Sequence, residues 1–331
     1  VMARASLVHL IWLGVAAASV VEIAPDGSVR GEATSGGGAD RPGVHSMLPF
    51  EVPCESAGSQ PLPIKLSRDG KLDELKQLID RPDQLTEEDR TGVNALMTAS
   101  QAGWADMVEW LLSTGAFDVN APDKRGMSPA HFAVGQGHHE ILHLLLRAGA
   151  DPAVEGNRGN GLVRAAVAAD CADCLRILLD AGAPLEDHMK GRGLMCLAAQ
   201  RGNVDALDAL SRRGLPLDEP CTANEQTPLS SAAAAGAMRS LRWLLDRNVA
   251  VDSEDIIGMT PLMFAASRGQ LEAAAALVAA GADVTRTSQI KFDAATYARK
   301  NEYLETAVML EERMRTARAQ QKRVQPGPMA A

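Results

Sequence analysis

Three histidines crowd one short stretch, His138, His139 and His143, and the last two share a helix face at i,i+4. Imidazoles so spaced suit a metal, but a conventional site needs further ligands, and no cysteine or second cluster lies nearby. No metal site is expected. Cys171-Ala172-Asp173-Cys174 has the spacing of a redox pair. Cys174, however, falls where a helix of this pattern buries an aliphatic, which predicts a small buried hydrophobe instead. Cys196 and Cys221 have no obvious partner in the sequence, and five cysteines at irregular spacing do not read as a disulfide framework. No glycine-rich phosphate cradle, nucleophile elbow or acid–base pair is present. The sequence therefore predicts no catalytic residue, no cofactor and no enzyme.

The elements that would carry these residues are helical hairpins. Asp123 to Ala150 is the clearest: a turn closing at Gly126, a short apolar run, a reversal at Gly137, and a longer run closed by Gly149. The turn position recurs as Gly92, Gly126, Gly159, Gly191, Glu225, Gly258 and Lys291, at intervals of 32 to 34 residues. The reversal recurs as Gly103, Gly137, Asp170, Gly202, Gly236, Gly269 and Glu302, and the closing residue as Gly115, Gly149, Gly182, Gly214, Asn248 and Gly281. A regular period of this length marks a stack of supersecondary units, none of which buries its apolar face alone. Ser67 to Leu85 reads as a partial first unit, one helix with Leu72, Leu75, Leu78 and Ile79 on its apolar face.

Ser128-Pro129-Ala130-His131 with Gly149-Ala150-Asp151, Thr227-Pro228-Leu229, and Thr260-Pro261-Leu262 with Gly281-Ala282-Asp283 carry a family resemblance. The chain from Ser67 to Met314 resembles the ankyrin-repeat family. The resemblance implies an all-α solenoid of about seven helix-turn-helix units with a partial N-terminal capping helix. Departures fall at Asp170, at Gly161-Leu162 in place of Thr-Pro, at an extra Phe117, at Glu225 and Asn248, and in the degenerate last unit with Lys291 and Glu302.

A repeat scaffold carries its function in its variable residues. The resemblance places common binding positions beside the turn glycine. Here they give a basic series, Arg90, Lys124, Arg125, Arg158, Lys190 and Arg192, and an apolar end, Ile256, Ile257 and Met259. A positive strip on a chain of net charge −9 suits an acidic partner, and apolar tips suit an interface anchor. Ordinary solvated tips, with the partner elsewhere, are the competing reading. Trp104, directly after Gly103, is a further interface candidate, while Trp110 and Trp243 read as packing. His131 sits where the family braces its turn.

Only 3% of the residues are aromatic, and Asp plus Glu exceed Lys plus Arg by 42 to 33. The first fact suits a thin stack packed through Ala and Leu, and the second argues against a nucleic-acid binder. Before the repeats, Arg4 and the apolar run Leu7 to Val21 resemble a secretory leader, too short to cross a bilayer comfortably; a retained helix or strand docked on another subunit stays open. The expected organisation is a leader-like segment over residues 1–23, a Gly/Pro-rich arm over 24–65, repeats over 66–314 and a basic tail over 315–331. The main functional reading is a non-catalytic scaffold or accessory subunit of a larger complex, a membrane-associated one included. A transient adaptor for acidic peptides is the alternative, and an enzyme with an unrecognised site is the remote one. The leader points to a secretory or organellar route, with plastid and cytoplasm open.

Overall fold

The computed structural model describes residues 60–156, 160–185 and 192–324, all of them in one compact unit spanning 48–331. The expected leader, most of the arm, Cys54, Arg158, Lys190 and the last seven residues lie outside the described residues. Arg192 begins a helix, but its side chain also lies outside them.

The described chain is a succession of helical hairpins. The first comprises α1 (Leu62–Arg68) and α2 (Leu72–Lys76), followed by a short α3 (Pro82–Leu85). Seven pairs follow: α4 (Ala95–Ala102) with α5 (Ala105–Ser113), α6 (Pro129–Gly135) with α7 (His139–Arg147), and α8 (Leu162–Ala168) with α9 (Ala172–Asp180). Next come α10 (Arg192–Arg201) with α11 (Val204–Arg212), α12 (Pro228–Ala235) with α13 (Met238–Leu245), and α14 (Pro261–Ser267) with α15 (Leu271–Ala279). The last pair is α16 (Ala294–Lys300) with the 21-residue α17 (Leu304–Val324). A two-residue antiparallel ladder, β1 (Glu155–Gly156) with β2 (Asn160–Gly161), opens the α8 unit.

Local chemistry sets these lengths. Four first helices begin at a side-chain cap: Asn94 accepts from the Met97 N–H, Thr227 from Ser230, Thr260 from Met263 and Asp293 from Thr296. In α6 the Ser128 N–H donates to His131 Nδ1 at 3.1 Å, which is the bracing role the resemblance implied. Proline follows at the first position of α6, α12 and α14, where its missing N–H costs nothing. The left-handed reversal then stops the helix after two turns. Where the repeat register lacks glycine, the substitute still adopts the left-handed backbone: Asp170 at φ 56°, Glu225 at 61°, Asn248 at 55°, Lys291 at 63° and Glu302 at 65°.

One continuous core runs from Leu66 to Met314. First helices meet through buried alanines, such as Ala99, Ala133, Ala166, Ala199, Ala233 and Ala266, which let backbones approach closely. Second helices contribute larger residues at helical spacing, for example Ile141, Leu142 and Leu145 on α7.

The N-terminal expectation needs correction. Ser67 to Leu85 is not one helix. Gly70 (φ 72°) reverses the chain between α1 and α2, so the first hairpin is nearly complete and begins at Leu62, inside the stretch assigned to the arm. α2 ends at Lys76, so Ile79 falls in the turn beyond it and is 46% exposed. The cysteine expectation is also corrected: Cys171 is disulfide-bonded to Cys174 and Cys196 to Cys221.

Candidate functional site

The tips between units are held by an aspartate three residues before the turn glycine. Asp89 Oδ1 accepts from the N–H groups of Thr91 (2.7 Å) and Val93 (3.0 Å). Asp123 repeats this with Arg125 and Met127 (both 2.8 Å), and Asp255 with Ile257 (3.0 Å) and Met259 (2.7 Å). Neighbouring tips are then tied by one backbone bond each: Lys124 N–H to Thr91 O, Ile256 N–H to Asn224 O, and Gln289 N–H to Ile257 O. The backbone that presents the variable residues is thus fixed before any partner arrives.

On this frame the expected binding residues separate. Arg90 is exposed, and Lys124 is exposed with its Nζ donating to Arg90 O at 2.7 Å. Arg125 is turned inward. Its Nε donates to the fully buried carboxylate of Asp123 at 2.9 Å, and its guanidinium stands 5.9 Å from the Phe132 ring centroid. Its charge is offset within its own turn.

Ile256 and Ile257 are 48% and 41% exposed, as an interface anchor requires. Met259 is not. It is buried, as are Val93 and Met127 at the same place in their units, because the aspartate draws the residue after the glycine back over the core. Asp255 itself is held above the usual carboxylate range, chiefly by burial; bonds from Met259 and Ile257 oppose this, while Glu225 and Glu254 add to it.

Trp104 is exposed, but its ring is committed to the stack. It lies over Gly70, and its Nε1 donates to Arg68 O at 3.4 Å. The residue after the reversal repeats this along the stack: His138 over Gly103, with Nε2 3.1 Å from Gln101 O, then Gln270 over Gly236 and Tyr303 over Gly269. The position is structural, and Trp104 is still 45% exposed there. Trp110 and Trp243 pack against the core. His138 is likewise spent on the column, and no group of three or more His, Cys, Asp or Glu among the described residues could hold a metal.

The profile described as "Ankyrin repeats (3 copies)" matches residues 64–156 and 195–288, together more than half of the chain. The chain belongs to the ankyrin-repeat family. Among curated relatives, it is 34% identical over 184 residues to the Nuclear factor NF-kappa-B p105 subunit of Gallus gallus, covering 54% of this chain and 15% of that protein. It is 26% identical over 201 residues to the Putative palmitoyltransferase ZDHHC13 of Danio rerio, covering 60% of this chain and 31% of the relative. The match thus spans under a third of either relative's length.

Two solved structures share the ankyrin fold. The human ASB11 ankyrin repeat domain superposes with a TM-score of 0.60 at 23% identity, covering 66% of this chain and 98% of that one. The ankyrin repeat domain of Bcl-3 gives 0.52 at 24% identity, covering 66% and 99%. The fold is one whose surface serves protein–protein contact, and no helix of the described residues is long and apolar enough to cross a membrane.

The ankyrin register also exposes an anchor that the sequence reading missed. Ile290 stands one repeat after Ile257, on the tip bonded to it, and is 52% exposed. Its signal was available in the 33-residue spacing, since Ile290 directly precedes Lys291 in the turn series.

Proposed function

We propose that this ankyrin-repeat chain is a non-catalytic scaffold or accessory subunit that holds a partner protein through its tips. An apolar segment of the partner seats on Ile256, Ile257 and Ile290, and acidic residues further along it approach Arg90 and Lys124. The observation that carries the reading is three large aliphatic side chains, each between two-fifths and a little over half exposed, on tips whose backbone is hydrogen-bonded to its neighbours. Rigid exposed aliphatics are what an interface centre uses. Arg158 and Lys190, outside the described residues, and Arg192, which opens α10, extend the same strip in sequence. The leader-like segment Leu7 to Val21 supports a secretory or organellar route, and membership of a stable complex belongs to the same proposal.

Affinity capture of the full-length chain from its native compartment tests it, with mass spectrometry of what is retained. Ile257→Asp with Ile290→Asp abolishes recovery of the main partner, and Arg90→Glu with Lys124→Glu weakens it and lowers its salt dependence. Undiminished recovery with both double variants contradicts the reading.

A further inference from the structure

The C-x-x-C pair opens α9 and takes no part in the tip surface. Cys171 is the N-cap of this nine-residue helix, and its Sγ accepts the Cys174 N–H at 3.1 Å. The two Cα atoms stand 5.2 Å apart, within the roughly 4.4–6.8 Å span of ordinary disulfides. Access to the two sulfurs differs. Cys171 is half-buried, in the column of residues that cap the reversals, with Sγ 3.8 Å from Gly137 O; Cys174 is fully buried in the core.

The second disulfide is built differently. Cys196 lies on α10 and Cys221 in the loop leading to the next tip, so this bond crosses between units, with Cα atoms 5.8 Å apart. Both residues are buried, and Ser231 Oγ stands 3.1 Å from Cys196 Sγ. A 25-residue separation makes this closure restrict the unfolded chain far more than a three-residue one.

We propose that Cys171–Cys174 is a reversible thiol–disulfide site for low-molecular-mass thiols, opened at Cys171, and that Cys196–Cys221 is a structural crosslink closed under the same conditions. The thiolate of an external dithiol attacks Cys171 Sγ, on the half-buried member of the pair. A bond forms from its sulfur to Cys171, and the Cys171–Cys174 bond breaks, with the electron pair leaving on Cys174 Sγ. The second thiol of the reagent then attacks its own sulfur in the mixed disulfide and releases Cys171 as thiolate. Two electrons and two protons pass in all: the protein pair is reduced to a dithiol, and the reagent is oxidised to a cyclic disulfide. The released Cys171 thiolate sits at the positive end of α9 and keeps the Cys174 N–H, both of which favour the anion. Asp173 opposes this, but its charge is paired with Arg176 at 3.1 Å. Because each unit's helices are held by the core and not by the three-residue loop, opening the pair leaves the stack folded.

The test uses the full-length chain purified without reductant. Graded reduced and oxidised dithiothreitol is added under native conditions, thiols are then trapped with N-ethylmaleimide in denaturant so that buried thiols react too, and the peptides are resolved by mass. Cys171 and Cys174 become alkylated together at reductant levels about tenfold below those that open Cys196–Cys221. With oxidised glutathione, Cys174→Ser acquires a mixed disulfide at Cys171 and releases one reduced glutathione, and Cys171→Ser acquires none at Cys174. Far-UV circular dichroism reports the fold of each variant; if either unfolds, the wild-type titration decides alone. Both pairs opening at the same poise, Cys196–Cys221 opening first, complete alkylation of Cys171 and Cys174 before any reductant is added, or equal glutathione uptake by the two folded variants overturns the proposal.

Discussion

The indole of Trp104 rests on the backbone of Gly70, so closely that a Cβ at Gly70 would stand 2.8 Å from Trp104 Cζ2. This contact joins the first hairpin to the second, and Gly70 is glycine for two reasons: its φ of 72° and the ring above it. Gly137 has the first reason only, since nothing lies within 4 Å of a Cβ there. Gly70→Ala is expected to destabilise by about 2–3 kcal/mol and Gly137→Ala by about 1 kcal/mol, from left-handed backbone strain with and without overpacking. Urea unfolding midpoints at constant slope measure both. Equal losses would remove the Trp104 contact from the account.

Asp123 carries the tip it belongs to. Its buried carboxylate accepts two backbone N–H groups and the Arg125 Nε. Asp123→Ala strands those donors and is expected to cost about 2–3 kcal/mol. Asp123→Asn keeps an acceptor for the backbone and is expected to lose less. The same unfolding experiment orders the two variants, and the reverse order would contradict the geometry.

Two carboxylates give opposite pH signatures. Burial holds Asp255 above its ordinary value of 3.8, so the folded state keeps that proton more tightly than the unfolded one. Its favourable contribution is present below the unfolded pKa and is lost as pH rises through the raised folded value. Asp283 is held below 3.8, first by the Thr285 hydroxyl and then by the Thr285 N–H. Its contribution is present above the unfolded pKa and is lost as pH falls through the lowered folded value. Stability relative to wild type should therefore rise for Asp255→Asn as pH rises from 3.8 through the raised folded value of Asp255. For Asp283→Asn it should fall as pH rises through the acidic range below 3.8. Thermal unfolding across that range checks both signs.

The apolar tips should be separable from the fold. Ile257 and Ile290 are exposed, so Ile257→Ser with Ile290→Ser is expected to change stability by no more than about 0.5 kcal/mol per site. Recovery of the captured partner should nevertheless fall at least tenfold, which quantitative mass spectrometry of the retained fraction measures. A loss of stability matching the loss of binding would mean that the isoleucines serve packing.

Much of the backbone was legible because left-handed residues recur at fixed intervals. Asp170, Glu225, Asn248, Lys291 and Glu302 were located by register alone, and each has the positive φ that the register demands. Gly70 carries the same landmark one unit earlier, but the charged run around it obscured the short hairpin. Side-chain direction was less legible. Met259 looks like a tip residue by position, and only the Asp255 turn shows that it folds inward. Ile79 is exposed because α2 ends at Lys76, before the helical spacing that groups it with Leu72, Leu75 and Leu78 can apply. Cys196 and Cys221 belong to adjacent units, and sequence spacing does not say which loop descends beside which helix.

Hydrogen–deuterium exchange on the full-length chain, alone and with its captured partner, tests the central claim most directly. The account predicts new protection confined to the tips, residues 89–93, 123–127, 255–258 and 288–291, with the second helices α5, α7, α13 and α15 unchanged. Protection that appears on those helices, with none at the tips, would contradict it.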